Sequence, residues 1–193
     1  MNTLTIKRED AILVAIDFQE KLMTGMQDKE KLQETMARLI KGCRIFGVPI
    51  IVTQQYTKGL GPTTEKIATA LTEEISETLP AQDLTPVEKT TFSAMKEPAF
   101  VKALAETGKK TVIITGMETH ICVQQTAIDL IEAGYNVFGA FDCMSSRTRE
   151  NKEFGQLRMT QSGVIVTGYE SVLFELLGGS QDANFKQIAT IVK

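Results

Sequence analysis

Short, nearly continuous apolar runs alternate along the chain with longer segments whose apolar positions recur at helical spacing. The runs are Ala11–Ile16 (AILVAI), Pro49–Thr53 (PIIVT), Thr111–Thr115 (TVIIT), Tyr135–Phe141 (YNVFGAF) and Gly163–Thr167 (GVIVT). Val87–Thr90, just after Pro86, is a weaker sixth. Runs of this kind suit strands buried on both faces, which is the pattern of a parallel sheet covered by helices. Between Lys29 and Phe46 the apolar residues fall at Leu32, Met36, Leu39, Ile40, Cys43 and Phe46, and Gly47 with Pro49 closes the segment. That stripe predicts an amphipathic helix. Glu97–Glu106 repeats the pattern, and Thr119–Ala133 is apolar on most sides, so it predicts a buried helix ending at Gly134. Glu150–Gln161 and Ser171–Leu177 are further candidates. Strand–helix alternation repeated this often predicts an α/β, doubly wound parallel sheet with right-handed crossovers.

No repeat of fixed period and no Pro/Ser linker divides the chain, so residues 1–193 are expected to form one domain. The most loop-like stretch is Thr57–Thr64 (TKGLGPTT), and Thr72–Pro86 is acidic and expected to be partly irregular. A chain of 193 residues can bury enough surface for a core without staples. Three cysteines, an odd number without close pairs, do not make a disulfide framework, and a reducing, cytoplasmic setting is expected. The opening MNTLTIKRED is charged where a signal peptide has its apolar stretch, and no run reaches the length of a membrane span. With 21 Lys and Arg against 24 Asp and Glu, no basic footprint for nucleic acid is expected.

In open α/β sheets, ligands bind beyond the carboxyl ends of the strands. The first run there ends in Asp17-Phe18-Gln19, and the second in Thr53-Gln54-Gln55-Tyr56. The weak strand carries Lys89 followed by Thr90-Thr91-Phe92, and the TVIIT run leads into Gly116-Met117-Glu118-Thr119-His120-Ile121-Cys122. One carboxylate, one amine and one thiol thus converge on the same edge from separate segments. Cys122 falls in the first turn of the expected helix, where the dipole and unpaired N–H groups favour an anion, so its thiol is expected to ionise readily. The same N–H groups could receive the oxyanion formed when sulfur attacks a carbonyl. Asp17 could accept the thiol proton, and Lys89 could hold that carboxylate in place. The competing reading of each residue is plain: Cys122 a small core hydrophobe, Asp17 a turn residue, Lys89 a surface lysine. Cys43, inside an apolar helical stripe, fits the core reading.

Other chemistries lack their parts. His120, the one histidine, lies two residues from Cys122, and side chains so spaced on a helix do not face each other. A Cys–His dyad is therefore not expected, nor is a multi-histidine zinc site. Neither G-x-G-x-x-G nor G-x-x-x-x-G-K-[ST] occurs, so no nucleotide cofactor is implied. Ser93-Ala94-Met95-Lys96 matches S-x-x-K, but its companion motifs are missing.

At these residues the chain resembles the isochorismatase-like cysteine hydrolases, most closely the isochorismatase domain-containing proteins. The matching pieces are Ala15–Lys21 (AIDFQEK), Val52–Tyr56 with Gly59–Thr63, Glu88–Ser93 (EKTTFS), Thr115–Ala127 (TGMETHICVQQTA), and Asp142 with Ser145-Ser146-Arg147. The resemblance implies a six-stranded parallel sheet and an Asp–Lys–Cys triad, which falls on Asp17, Lys89 and Cys122. It also implies a non-proline cis peptide at Met117–Glu118, with the backbone N–H groups of Glu118 and Cys122 facing one oxyanion. The nicotinamidase branch carries a metal held by an Asp and two histidines after the second strand. Here that place reads Thr53-Gln54-Gln55-Tyr56, so no metal and no cofactor is expected. The expected activity is metal-independent hydrolysis of a C–N bond in a small amide-type substrate through a thioester. Phe18, Gln19, Gln54, Tyr56, Phe92 and His120 are the candidate pocket wall. The alternatives are an isochorismate-type vinyl-ether hydrolase, which needs no thioester, and a non-catalytic binding or scaffold protein. A small-molecule substrate, no nucleic acid, no membrane and a homo-oligomer are the expected partners.

Overall fold

The computed structural model describes residues 4–193. Six parallel strands form one sheet: β1 (Ala11–Ile16), β2 (Ile50–Gln55), β3 (Val87–Lys89), β4 (Thr111–Met117), β5 (Asn136–Ser145) and β6 (Ile165–Thr167), in the order β3-β2-β1-β4-β5-β6. The order reverses between β1 and β4, and that is where a crevice opens at the carboxyl edge. Alternation along the strands divides two cores. Leu13, Ala15, Ile113 and Met117 pack on one face against α2 (Lys29–Ile45), α4 (Glu65–Thr72), α8 (Tyr169–Leu177) and α9 (Phe185–Val192). Ile12, Val14, Ile16, Val112 and Ile114 pack on the other against α5 (Pro98–Glu106), α6 (Gln124–Glu132) and α7 (Arg149–Gln161). β1 is buried at every position, as a central parallel strand must be.

The strand order passes through a close contact between β1 and β4. Gly116 has φ 134°, and a Cβ there would lie 2.3 Å from the Ile16 carbonyl oxygen. Only glycine fits so tight an approach at that backbone angle. A second close approach brings α7 onto the segment after β4, where a Cβ on Gly155 would lie 2.8 Å from the Cα of His120.

Several expectations change in detail. The helix expected over 119–133 begins as a π turn, Thr119–Val123, and becomes α-helical only at Gln124. In that turn the Val123 N–H donates to the Glu118 carbonyl, five residues back, at 3.3 Å. β5 runs on to Ser145, with a register shift against β4 between Ile114 and Gly116. The stretch expected to be a loop at 57–64 contains a single turn of helix, α3 (Thr57–Leu60), and a similar turn, α1 (Glu20–Met23), follows β1. α4 and α9 are each eight residues long, too short for a helical period to stand out in a sequence window. Among the described residues no helix is long and apolar enough to cross a membrane.

Candidate active site

Asp17 follows the last residue of β1 in a left-handed conformation, φ 54°. Aspartate tolerates that region better than most side chains because its short polar group bonds locally. Here the backbone N–H donates to the Thr53 carbonyl at 3.2 Å, and the Thr53 hydroxyl donates to Oδ1 at 2.6 Å. Lys89, the last residue of β3, donates from Nζ to Asp17 Oδ2 at 2.7 Å. Both side chains have 0% exposure. A buried ammonium must be met on several sides, because desolvation of an unpaired charge costs several kcal/mol. Gln55 Oε1 accepts a second bond at 2.7 Å, and the carbonyls of Thr91 and Phe92 lie at 3.2 and 3.3 Å.

The π turn after β4 carries Cys122 to this pair. Asp17 and Lys89 are the charged groups that act on its sulfur, and the residue keeps 6% of its surface exposed. Burial and the negative charge of Asp17 push the thiol up to about 12, while Lys89 pulls it down. This reverses the sequence expectation of a readily ionised thiol. Cys122 lies inside a π turn rather than at the open start of an α-helix, and desolvation beside a carboxylate outweighs any dipole. Burial and the neighbouring carboxylate thus both favour the neutral thiol.

The peptide bond Met117–Glu118, at the end of β4, is cis. The Glu118 carboxylate is buried and accepts from the backbone N–H and Nε of Arg147, both at 3.0 Å. The ring Nδ1 of His120 meets the Ser146 hydroxyl at 3.0 Å. Burial lowers the His120 pKa, Glu118 raises it and Arg147 lowers it, so the ring belongs to this Glu118–Arg147 group rather than to the sulfur.

The expected pocket wall divides into two sets. Phe18 is fully buried in the core on the α2 face, so it supports the site from beneath and presents nothing to a substrate. Gln19 is also fully buried, and its amide is engaged throughout: Oε1 accepts from the Gln55 N–H at 2.7 Å, and Nε2 donates to the carbonyls of Gln55 (3.0 Å) and Gly61 (2.7 Å). Gln54 points away from the sulfur, because alternate residues of a strand face opposite sides. Its Nε2 donates to the Thr63 hydroxyl at 2.9 Å. Tyr56 and Phe92, by contrast, are exposed beside the lysine: the Tyr56 N–H donates to the Lys89 carbonyl at 3.0 Å.

Sequence reasoning passed over Thr53 and Gln55, which complete the coordination of Asp17 and Lys89. Both share the strand parity of Ile51, which packs with Ile12, Val14 and Ile16 on the Cys122 face. Parity along β2 was the available signal. Cleft size was no guide, since a cleft of about 520 Å³ lined by Lys41, Ile45, Glu73 and Ile191 shares no residue with the triad.

Comparison with known proteins agrees with this architecture. The isochorismatase domain model matches residues 11–171. Isochorismatase domain-containing protein 1 of Salmo salar is 37% identical over 187 residues, covering 94% of this chain and 60% of its own length. This chain thus spans about three fifths of that relative. Isochorismatase domain-containing protein 2 of Danio rerio is 33% identical, over 97% of this chain and 89% of its own. Among solved structures, the MAR1 ribonuclease of Caenorhabditis elegans superposes with a TM-score of 0.87 at 34% identity, covering 97% of this chain and 92% of its own. With the model spanning strands β1 to β6, this chain belongs to the isochorismatase domain family.

Proposed function

We propose that the protein is a cysteine hydrolase that cleaves a C–N bond in a small amide without a metal. The observation that carries this reading is the buried Asp17–Lys89 pair, 2.7 Å apart, with the Cys122 thiol within its electrostatic reach. Cys122 attacks the substrate carbonyl while Asp17 takes the thiol proton. The backbone N–H groups of Glu118 and Cys122 receive the oxyanion. As the C–N bond breaks, Asp17 returns the proton to the leaving nitrogen. Water, deprotonated by Asp17, then attacks the thioester, and the departing thiolate recovers that proton. The sum is amide plus water to acid plus amine. Lys89 holds Asp17 in register throughout. Tyr56, Phe92 and His120 are the side chains placed to meet the substrate at the rim.

Assembly into a homo-oligomer belongs to the same reading. Phe154 and Leu157, three apart on α7 and so on one face, are 66% and 57% exposed, an apolar pair that a second copy would cover. Light scattering of the purified protein checks this, and a monomer would remove it.

The reaction is tested by measuring amine or ammonia release from a panel of small amides with wild type and Cys122→Ala. Turnover lost in the variant supports the reading, and turnover retained overturns it. Isochorismate consumed equally by both proteins would favour vinyl-ether hydrolysis, which uses Asp17 but no thioester. Cleavage of an RNA oligonucleotide would favour the activity named for the nematode relative. The site disfavours a phosphodiester, because Lys89 is buried and already committed to Asp17 and Gln55.

A further inference from the structure

Lys89 takes two of its acceptors from the backbone of the turn that follows it, the carbonyls of Thr91 and Phe92. Where that turn sits therefore decides where the ammonium sits relative to the sulfur. Gln55 Nε2 ties the start of the turn to β2 through the Thr90 carbonyl at 2.9 Å, and two hydrogen bonds tether its far end to the helix that continues from Cys122. The Ala94 N–H donates to the Thr126 hydroxyl at 2.9 Å, and the Ser93 hydroxyl donates to Asp129 Oδ2 at 2.6 Å. The Thr126 hydroxyl in turn donates to the carbonyl of Cys122 itself at 2.7 Å. Thr126 is fully buried and Ser93 nearly so. One hydroxyl thus accepts from the lysine's turn and donates to the backbone of the nucleophile.

We propose that Thr126 is a positioning residue that sets the spacing between Lys89 and the Cys122 sulfur, with the Ser93–Asp129 bond as a second tether. The inference rests on the reading of Cys122 as nucleophile and adds to it which residue keeps the cation within reach of the sulfur. Threonine in a helix commonly bonds back to the carbonyl four residues earlier, and that alone would be a local matter. Here the same oxygen also closes a contact 32 positions away in sequence, to the N–H that ends the lysine's turn. Removing it leaves that buried N–H unsatisfied and frees the turn to move away from the sulfur.

The test is the rate at which iodoacetamide labels Cys122, read by peptide mass mapping, with Thr126→Val, Thr126→Ser and Ser93→Ala. The ionisable groups that reach the sulfur are Asp17 from the end of β1 and Lys89 from β3. With the ammonium drawn away, thiolate becomes scarcer. Thr126→Val is expected to label about fivefold more slowly at pH 8, as the loss of one hydrogen bond's worth of coupling implies, with the alkaline midpoint moved upward. Thr126→Ser, which keeps the hydroxyl, is expected to stay within about twofold of wild type. A merely structural loosening would expose the sulfur and speed labelling. Labelling in Thr126→Val at or above the wild-type rate, or no recovery in Thr126→Ser, overturns the proposal. If Thr126→Val does not fold, Ser93→Ala decides: slower labelling supports the tether, and an unchanged rate overturns it. Labelling reads the sulfur whether or not an amide is turned over, so its outcome is separate from that of the amide panel.

Discussion

Two buried polar clusters lie side by side past the ends of β1 and β2, and they differ in what they leave uncommitted. Around Gln19 every group is neutral, and donors meet acceptors: its amide clamps Gln55 and Gly61, while Gln54 bonds Thr63 nearby. Around Lys89 one partner, Asp17, is charged, and the pair acts on a titratable sulfur beside it. The first cluster can only hold a turn in place. The second sets a carboxylate beside a thiol, which on the proposed reading are the proton acceptor and the nucleophile, at the edge where the strand order reverses. The lesson is that burial and hydrogen-bond count do not mark a site; a charge pair with a reactive neighbour does.

Substitutions in the two clusters should separate along those lines. The largest effect is expected for Cys122→Ala, which should lower kcat on a cleaved amide by about a thousandfold or more while the melting temperature changes little. Lys89→Met comes next. It strands the Asp17 carboxylate in a fully buried position, and such a broken pair typically costs about 3–5 kcal/mol, read as a shift in the urea midpoint. Its slower iodoacetamide labelling of Cys122 would distinguish this from loss of stability alone. Gln19→Ala should cost about 2–3 kcal/mol, from buried partners left unmet, yet leave the pH midpoint of Cys122 labelling where it is. A shifted midpoint in that variant would erase the distinction between the clusters.

The smallest effect is the share that a single thiol takes in the dependence of stability on pH. Burial pushes the Cys43 thiol up to about 12 and Cys143 well above its ordinary value, as burial and Asp17 do for Cys122. A thiol held neutral in the folded state but ionised in the unfolded chain stabilises the fold below its unfolded pKa. That contribution disappears as pH rises from about 8.5 toward 12, at about 1.4 kcal/mol per pH unit for each thiol. Urea midpoints measured at pH 8 and pH 10 should therefore fall on the alkaline side, and Cys43→Ala should make the fall shallower. An unchanged slope in Cys43→Ala would show that this thiol already titrates in the folded protein.

Much of this was legible in the chain before its structure. The runs at Ala11–Ile16 and Thr111–Thr115 became central strands because no polar residue interrupts either face. Asp17 and Lys89 stood out because each sits where such a run stops. Thr53 and Gln55 stayed hidden, since choosing them over Gln54 requires knowing which face of β2 the sulfur approaches. The π turn at Thr119–Val123 was hidden as well, because its apolar spacing is nearly that of an α-helix. The thiol of Cys122 was misjudged for a physical reason: a helix start favours an anion only when water or a cation dominates its surroundings, and here a carboxylate and close packing do. Phe18 and Gln19 were misplaced by proximity in sequence, since the turn at Asp17 sends the following side chains inward.

The central claim is that Cys122 carries the acyl group of the substrate while Asp17 moves the protons. Rapid-quench mass spectrometry with an activated small ester or amide tests it most directly, with peptide mapping of the wild type and Asp17→Asn. The account predicts a transient mass increase equal to the acyl group on the peptide bearing Cys122 in the wild type. In Asp17→Asn that adduct should form far more slowly. Steady turnover with no acyl mass on that peptide at any time point, or equal acylation rates in the two proteins, would contradict it.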